Sequence, residues 1–180
     1  MAYAFRLIDS LRSSRGHMIM SGLPNGNLEI TSELVQPNRL HYKIGSKELI
    51  LIGPTAYSRD NEGPWKKGGP INIPGLPIKQ EDIFQMKSEP FIRRILNNPK
   101  LAFKGKISGE ETIDGYKAII YEITGTARGN SRAEIFSMRT WIATEDGFPR
   151  KLEMVNPVTG FKGTIRYFDF NANITINPPI

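Results

Sequence analysis

The sequence predicts a mainly β protein of the α+β class, built on one large curved antiparallel sheet with a short N-terminal helix and a central helical insertion. Three observations carry that expectation. Across residues 105–175, runs rich in Ile, Thr, Tyr, Phe and Trp alternate with evenly spaced turn signals: Ile113-Asp114-Gly115, Arg128-Gly129-Asn130, Glu145-Asp146-Gly147 and Val158-Thr159-Gly160. That is the pattern of hairpins joining neighbouring strands. Residues 17–52 show the same period of two, and only residues 4–13 and 79–97 carry a helical stripe.

In chain order, Phe5, Leu7, Ile8 and Leu11 fall near one face of a short helix over residues 4–13, with Arg6, Asp9 and Arg12 opposite and Gly16 ending it. Packing on the sheet is the preferred role for this helix, because its basic face is too thin for a membrane-surface helix. Strands follow at 17–23, 27–36, 39–44 and 47–52, separated by Pro24-Asn25-Gly26, Pro37-Asn38 and Gly45-Ser46. In the third of these, Leu40, Tyr42 and Ile44 share one face and Arg39, His41 and Lys43 the other, so one side faces water. Residues 55–59 form a further strand, and 68–77, with three prolines and three glycines, an irregular loop. Residues 79–97 divide at Pro90 into two short helices, the second capped by Ser88, whose apolar stripe must cover something; against an open sheet face they act as a lid. The sheet resumes at 102–110, 112–125, 132–144, 150–156, 160–170 and 173–176. Ile119, Tyr121 and Ile123, then Phe136, Met138 and Ile142, then Leu152 and Met154 mark its inward faces.

The chain has 180 residues, the length of one domain, with 39% apolar and 23% charged side chains. No stretch approaches the roughly 18 consecutive apolar residues of a spanning helix. The N-terminus lacks the basic segment, long apolar stretch and cleavage site of a secretory signal. Two readings stay open: a cytoplasmic protein, or a mature chain whose leader has been replaced by an initiating Met. The absence of cysteine excludes disulfides and thiolate chemistry and fits either compartment. A net charge of +6 is spread along the chain in pairs such as Lys66-Lys67, Arg93-Arg94 and Arg150-Lys151. It lacks the clustered footprint of a nucleic-acid binder, so no nucleic acid is expected; attraction to acidic headgroups leaves peripheral membrane contact open.

No catalytic set emerges. His17 and His41 lie in no metal-ligand spacing and read as surface strand residues. No G-x-S-x-G elbow is present, and no nucleophile pairs with a base. Glu110, Glu111 and Asp114, like Glu145 and Asp146, read as solvated turns without calcium-loop spacing. Gly68-Gly69-Pro70 lacks the Lys of a phosphate loop, and the glycosylation triplet Asn173-Ile174-Thr175 is a common chance match. The expectation is a binder, not an enzyme, with no cofactor and no metal. The many Met and aromatic side chains leave ordinary core and the lining of an adaptable apolar pocket both open.

Several phrases resemble one known family. Pro37-Asn38-Arg39-Leu40-His41-Tyr42-Lys43 and Gly53-Pro54-Thr55-Ala56-Tyr57 are similar to its arginine-led strand and following glycine-aromatic phrase. Residues 141–151, from Trp141 through Gly147-Phe148-Pro149 to Lys151, resemble its tryptophan strand, Gly-x-Pro turn and basic outgoing strand, and Tyr167-Phe168-Asp169-Phe170-Asn171 its closing strand. Together with the order of elements over nearly the whole chain, they resemble the LolA-like superfamily of periplasmic lipoprotein and lipid carriers, which includes mycobacterial lipid-binding lipoproteins.

The resemblance implies a single LolA-like domain over residues 1–180, an unclosed half-barrel of about eleven strands whose apolar hollow is plugged by helices and holds a lipid or the acyl chain of a lipoprotein. It implies a periplasmic or extracytoplasmic location and a non-enzymatic binding or transport role in the bacterial cell envelope, and it tips the apolar residues toward a cavity. The candidate lining is Met18, Met20, Leu40, Tyr42, Trp65, Phe84, Ile92, Ile95, Ile119, Tyr121, Phe136, Met138 and Leu152. The alternative is a cell-envelope interaction protein that docks a protein partner on the same scaffold without a bound lipid.

Overall fold

The computed structural model of the protein describes residues 11–24, 26–68, 101–127 and 130–180. These form one antiparallel sheet of eleven strands: β1 (Ser13–Leu23), β2 (Gly26–Val35), β3 (Arg39–Ile44), β4 (Lys47–Ile52), β5 (Thr55–Asp60), β6 (Lys66–Lys67), β7 (Leu101–Ile113), β8 (Tyr116–Ala127), β9 (Asn130–Ala143), β10 (Pro149–Asn156) and β11 (Phe161–Phe168). Their spatial order is β6-β5-β4-β3-β2-β1-β11-β10-β9-β8-β7. Each half is a meander of hairpins, and the long-range pairing of β1 with β11 welds the two. Since β6 and β7 stay at opposite edges, the sheet is an unclosed half-barrel.

The hairpins follow from the turn residues. Between β7 and β8, Asp114 and Gly115 both take left-handed conformations, φ 51° and 83°, the two-residue turn whose twist matches the flanking strands. Because side chains alternate, register carries a residue's face across the whole sheet. One row reads Ile44, Ile30, Met18, Ile165, Leu152, Thr140, Tyr121, Ile107 from β3 to β7. The adjacent row on the opposite face reads Arg59, Glu48, Lys43, Thr31, His17, Arg166, Lys151. The sheet therefore has one apolar and one largely charged face.

The chain's last segment returns across the charged face. Asn171 Oδ1 accepts from the Arg12 amide at 2.8 Å, Ser13 Oγ donates to the Ala172 carbonyl, and Arg39 donates to the Ile176 carbonyl. Ile174 and Ile176 pack with Ile50, Tyr57, Val35, Ile52 and Trp65, covering the apolar strip that this face would otherwise expose. Residues 173–176, expected as a strand, are thus an extended strap without a ladder.

Other boundaries also move. The first strand begins at Ser13, not His17, because Ser13 to Gly16 pair with β2, and Arg15 and Gly16 with β11 as well; Leu11 and Arg12 are not helical either, and residues 4–10 of the expected N-terminal helix lie outside the described residues. Thr112 and Ile113 close β7 instead of opening β8. The loop over 69–77 and the helical lid over 79–97 likewise lie outside the described residues.

Candidate ligand-binding face

The apolar face divides into two patches of different packing. Over β1–β5, Met20, Ile30, Leu40, Ile44, Leu49, Leu51 and Ala56 are all buried in one cluster. Met18, Leu23, Leu28, Leu34, Tyr42 and Phe161 pack against it and are only partly buried. Over β7–β11 the buried members of the cluster are Ile123, Met138 and Leu152, with Thr140 and Ile142 buried on the same face; Phe103, Phe136, Met154, Ile165 and Tyr167 pack against the cluster while keeping part of their surface open. This half is apolar, mobile in side-chain shape where methionine contributes, and incompletely filled.

The seam between the patches is shaped by two small residues. Tyr42, Ser32, Gly16 and Tyr167 form a cross-sheet row, and a Cβ at Gly16 would stand 2.7 Å from Ser32 Oγ. The two tyrosine rings therefore flank a trough only one small side chain deep. Removal from water pushes both phenols up to about 12, the nearby Tyr42 charge adding to the effect at Tyr167. They are neutral hydrogen-bonding groups at ordinary pH, at the margin of an apolar surface. A second glycine, Gly125, lies under the Phe103 ring, whose Cε1 is 2.9 Å from where a Cβ would be; any side chain would lift that ring off the sheet. Thr140, at the centre of the face, has a buried hydroxyl with no partner.

Of the residues expected to line a cavity, Met18, Met20, Leu40, Tyr42, Ile119, Tyr121, Phe136, Met138 and Leu152 share this face by register. Trp65 does not: it joins the strap cluster on the charged face, with Arg59 stacked 4.7 Å from its ring. Phe84, Ile92 and Ile95 lie outside the described residues. Ile165, Tyr167 and Phe103 belong to the same face and were absent from the expected lining. The alternation of Phe161, Gly163, Ile165 and Tyr167 in β11 was the signal that could have found the first two.

The charged face is organised, not merely solvated. Arg15 pairs with Glu33 at 2.8 Å; His41 bridges Glu33, 3.2 Å from Nδ1, and Glu48, 2.7 Å from Nε2; Arg59 and Lys43 complete the ladder on Glu48. Desolvation opposes ionisation of Glu33 and Glu48. Hydrogen bonds from Arg15 and His41 to the first, and from His41 and Arg59 to the second, outweigh it and hold both carboxyls below their usual range. His41 is therefore a half-buried member of a cross-strand network, not a free surface residue, and His17 pairs with Glu29 at 2.7 Å. Among the described residues no group of three or more His, Asp or Glu side chains is placed to hold a metal ion. No helix of the described residues is long and apolar enough to cross a membrane.

No protein-family model matches the chain, and no curated protein matches it in sequence. Solved structures do match in shape. LprF from Mycobacterium bovis superposes with a TM-score of 0.57 at 14% identity, over 98% of this chain and 93% of its own. The Mycobacterium tuberculosis lipoprotein LppX gives 0.57 at 10% identity, over 98% of both chains. A LolA superfamily protein from Nitrosomonas europaea aligns over 97% of this chain and 94% of its own at 9% identity, but its TM-score of 0.36 is too low to carry an argument. At these identities the likeness is one of fold, the fold shared with LprF and LppX.

Proposed function

We propose that this LolA-like half-barrel is a non-enzymatic binder of a lipid or of the acyl chain of a lipoprotein, held against the apolar face outside the cytoplasm. The observation that carries the reading is the patch over β7–β11, where Phe103, Phe136, Met154, Ile165 and Tyr167 keep part of their apolar surface open around a cluster with fewer buried side chains than that over β1–β5. An acyl chain laid along that patch gains about 0.8 kcal/mol per buried CH₂, so affinity comes from length and needs few polar contacts. The phenols of Tyr42 and Tyr167 and the Thr140 hydroxyl are the polar groups within reach of the same face. In this reading the whole chain is one domain. The shared fold with LppX, itself a lipoprotein, supports an envelope setting.

The test uses protein stripped of bound lipid, a fluorescent apolar probe and saturated fatty acids of increasing length. Displacement should tighten with each added pair of methylenes, by up to about fifteenfold for full burial. Phe136→Asp and Ile165→Asp should fold and lose probe uptake, while Trp65→Phe, altered on the other face, should keep it. Uptake that is unchanged in both aspartate variants overturns the reading.

A further inference from the structure

We propose that the charged face carries a second ligand site, a cleft suited to a neutral saccharide. The cleft, an open hollow of about 1000 Å³, forms where three turns meet: Asp114 and Tyr116 between β7 and β8, Asp146 and Phe148 between β9 and β10, and the strap as it leaves β11 at Phe168. Its size is that of sites for small organic ligands.

Charge selects the ligand class. Every carboxylate lining the cleft already has an arginine: Asp114 pairs with Arg166 at 3.1 Å, Asp169 with Arg15 at 2.8 Å, and Asp146 with Arg150. Arg15 also serves Glu33, and His17, which lines the cleft, pairs with Glu29, so each charged side chain here already has an opposite partner and an ionic ligand would have to break a pair to enter. What the pairs still offer is a rim of alternating donors and acceptors, since a carboxylate has about four lone-pair sites and a guanidinium five N–H groups. Between these polar groups lie open aromatic rings: Tyr116 is 37% exposed and Phe168 42%. A sugar ring, with an apolar C–H face and a hydroxyl edge, matches both features, whereas an acyl chain would strand the polar rim and a phosphate would find no free cation.

Two further observations mark the cleft as specialised. Asp169 and Asn171 hold left-handed backbones, φ 53° and 59°, outside any hairpin turn, a sparsely populated conformation of the kind that gathers at functional sites. Arg150 is buried with its guanidinium 3.8 Å from the Tyr116 ring and 4.7 Å from that of Phe170, and its Nε has no partner. This stack ties the β7–β8 turn to the strap and fixes the Tyr116 ring before any ligand arrives, which lowers the entropy lost on binding. The site is independent of the apolar face, so the fate of one proposal does not decide the other.

The experiment is a ¹⁵N NMR titration of the full chain with cellotriose, maltotriose and chitotriose, each to about 20 mM. Saturable shifts are expected for at least one of them, confined to residues 114–116, 146–150 and 166–171, and unchanged when salt rises from about 50 to about 500 mM. Phe168→Ala should weaken binding at least about tenfold with an unchanged thermal midpoint. Should that variant unfold, the isosteric Asp114→Asn, which keeps a residue tolerant of left-handed φ, decides by the same criterion. The proposal is overturned if no trisaccharide gives saturable shifts, if the shifts lie elsewhere, or if inorganic phosphate or a lysine-rich peptide occupies these amides with strong salt dependence.

Discussion

Truncating Leu51 to Ala separates the packed half of the apolar face from the half left open. Leu51 is 0% exposed and sits in one cluster with Leu40, Leu49 and Ala56. The change deletes three carbons, worth about 2.4 kcal/mol of transfer at about 0.8 kcal/mol each. The cavity left in a dense cluster adds to that, for a total of about 3–4 kcal/mol. Ile165 occupies the same face but keeps part of its surface open, so Ile165→Ala loses less burial and leaves no closed void; about 1–2 kcal/mol is expected. Urea unfolding reads both: with a slope near 2 kcal/mol per M, the midpoint should fall by about 1.5–2 M for Leu51→Ala and by under about 1 M for Ile165→Ala. A shift below about 0.5 M for Leu51→Ala, or equal shifts for the two at an unchanged slope, would refute the division of the face.

Three further outcomes follow from the polar groups. Glu33 and Glu48 titrate below the unfolded carboxyl range, so their contribution is present above about pH 4.3 and is lost as pH falls through their folded values. Thermal midpoints should drop over that window and drop less in Glu48→Gln; parallel pH profiles would contradict the ladder. Tyr42 and Tyr167, raised to about 12, contribute stability that is complete below about pH 10 and is lost between about pH 10 and 12. Absorbance at the phenolate band should show two late ionisations that vanish in the Tyr42→Phe, Tyr167→Phe double variant; an unaltered titration would contradict their burial. Replacing Thr140, 1% exposed with an unpartnered hydroxyl, by Val should stabilise the protein by about 1 kcal/mol, and a loss of similar size in urea unfolding would show that the hydroxyl has a partner.

Local rules made much of this fold legible. Hairpin turns announce themselves through Asp-Gly and Gly-containing phrases, and strict alternation in β3 gave the two faces of the sheet before any coordinate. What escaped depends on contacts distant in sequence. Ser13-Ser14-Arg15-Gly16 has little intrinsic strand preference and is extended because β2 pairs with all of it and β11 with Arg15 and Gly16. Residues 173–176 have strand-like alternation, but their partners are the side chains of Ile50 and Tyr57, not a neighbouring backbone. Trp65 follows Pro64 outside the regular ladder, so parity carried from β5 cannot place it, and it packs with the strap. The cleft on the charged face joins turns around Asp114, Asp146 and Asp169, more than 20 residues apart from one another in the chain, and no local pattern connects them. In the candidate lining, parity in β8, β9 and β10 was enough; the equally simple parity of β11 identifies Ile165 and Tyr167.

Native mass spectrometry of the protein isolated without detergent, followed by solvent extraction, tests the central claim most directly. The account predicts extra mass in the range of an acyl-bearing lipid, removed by the solvent and restored by adding it back to the folded chain. Protein that carries no such mass and takes up no long-chain lipid when it is offered would contradict the account.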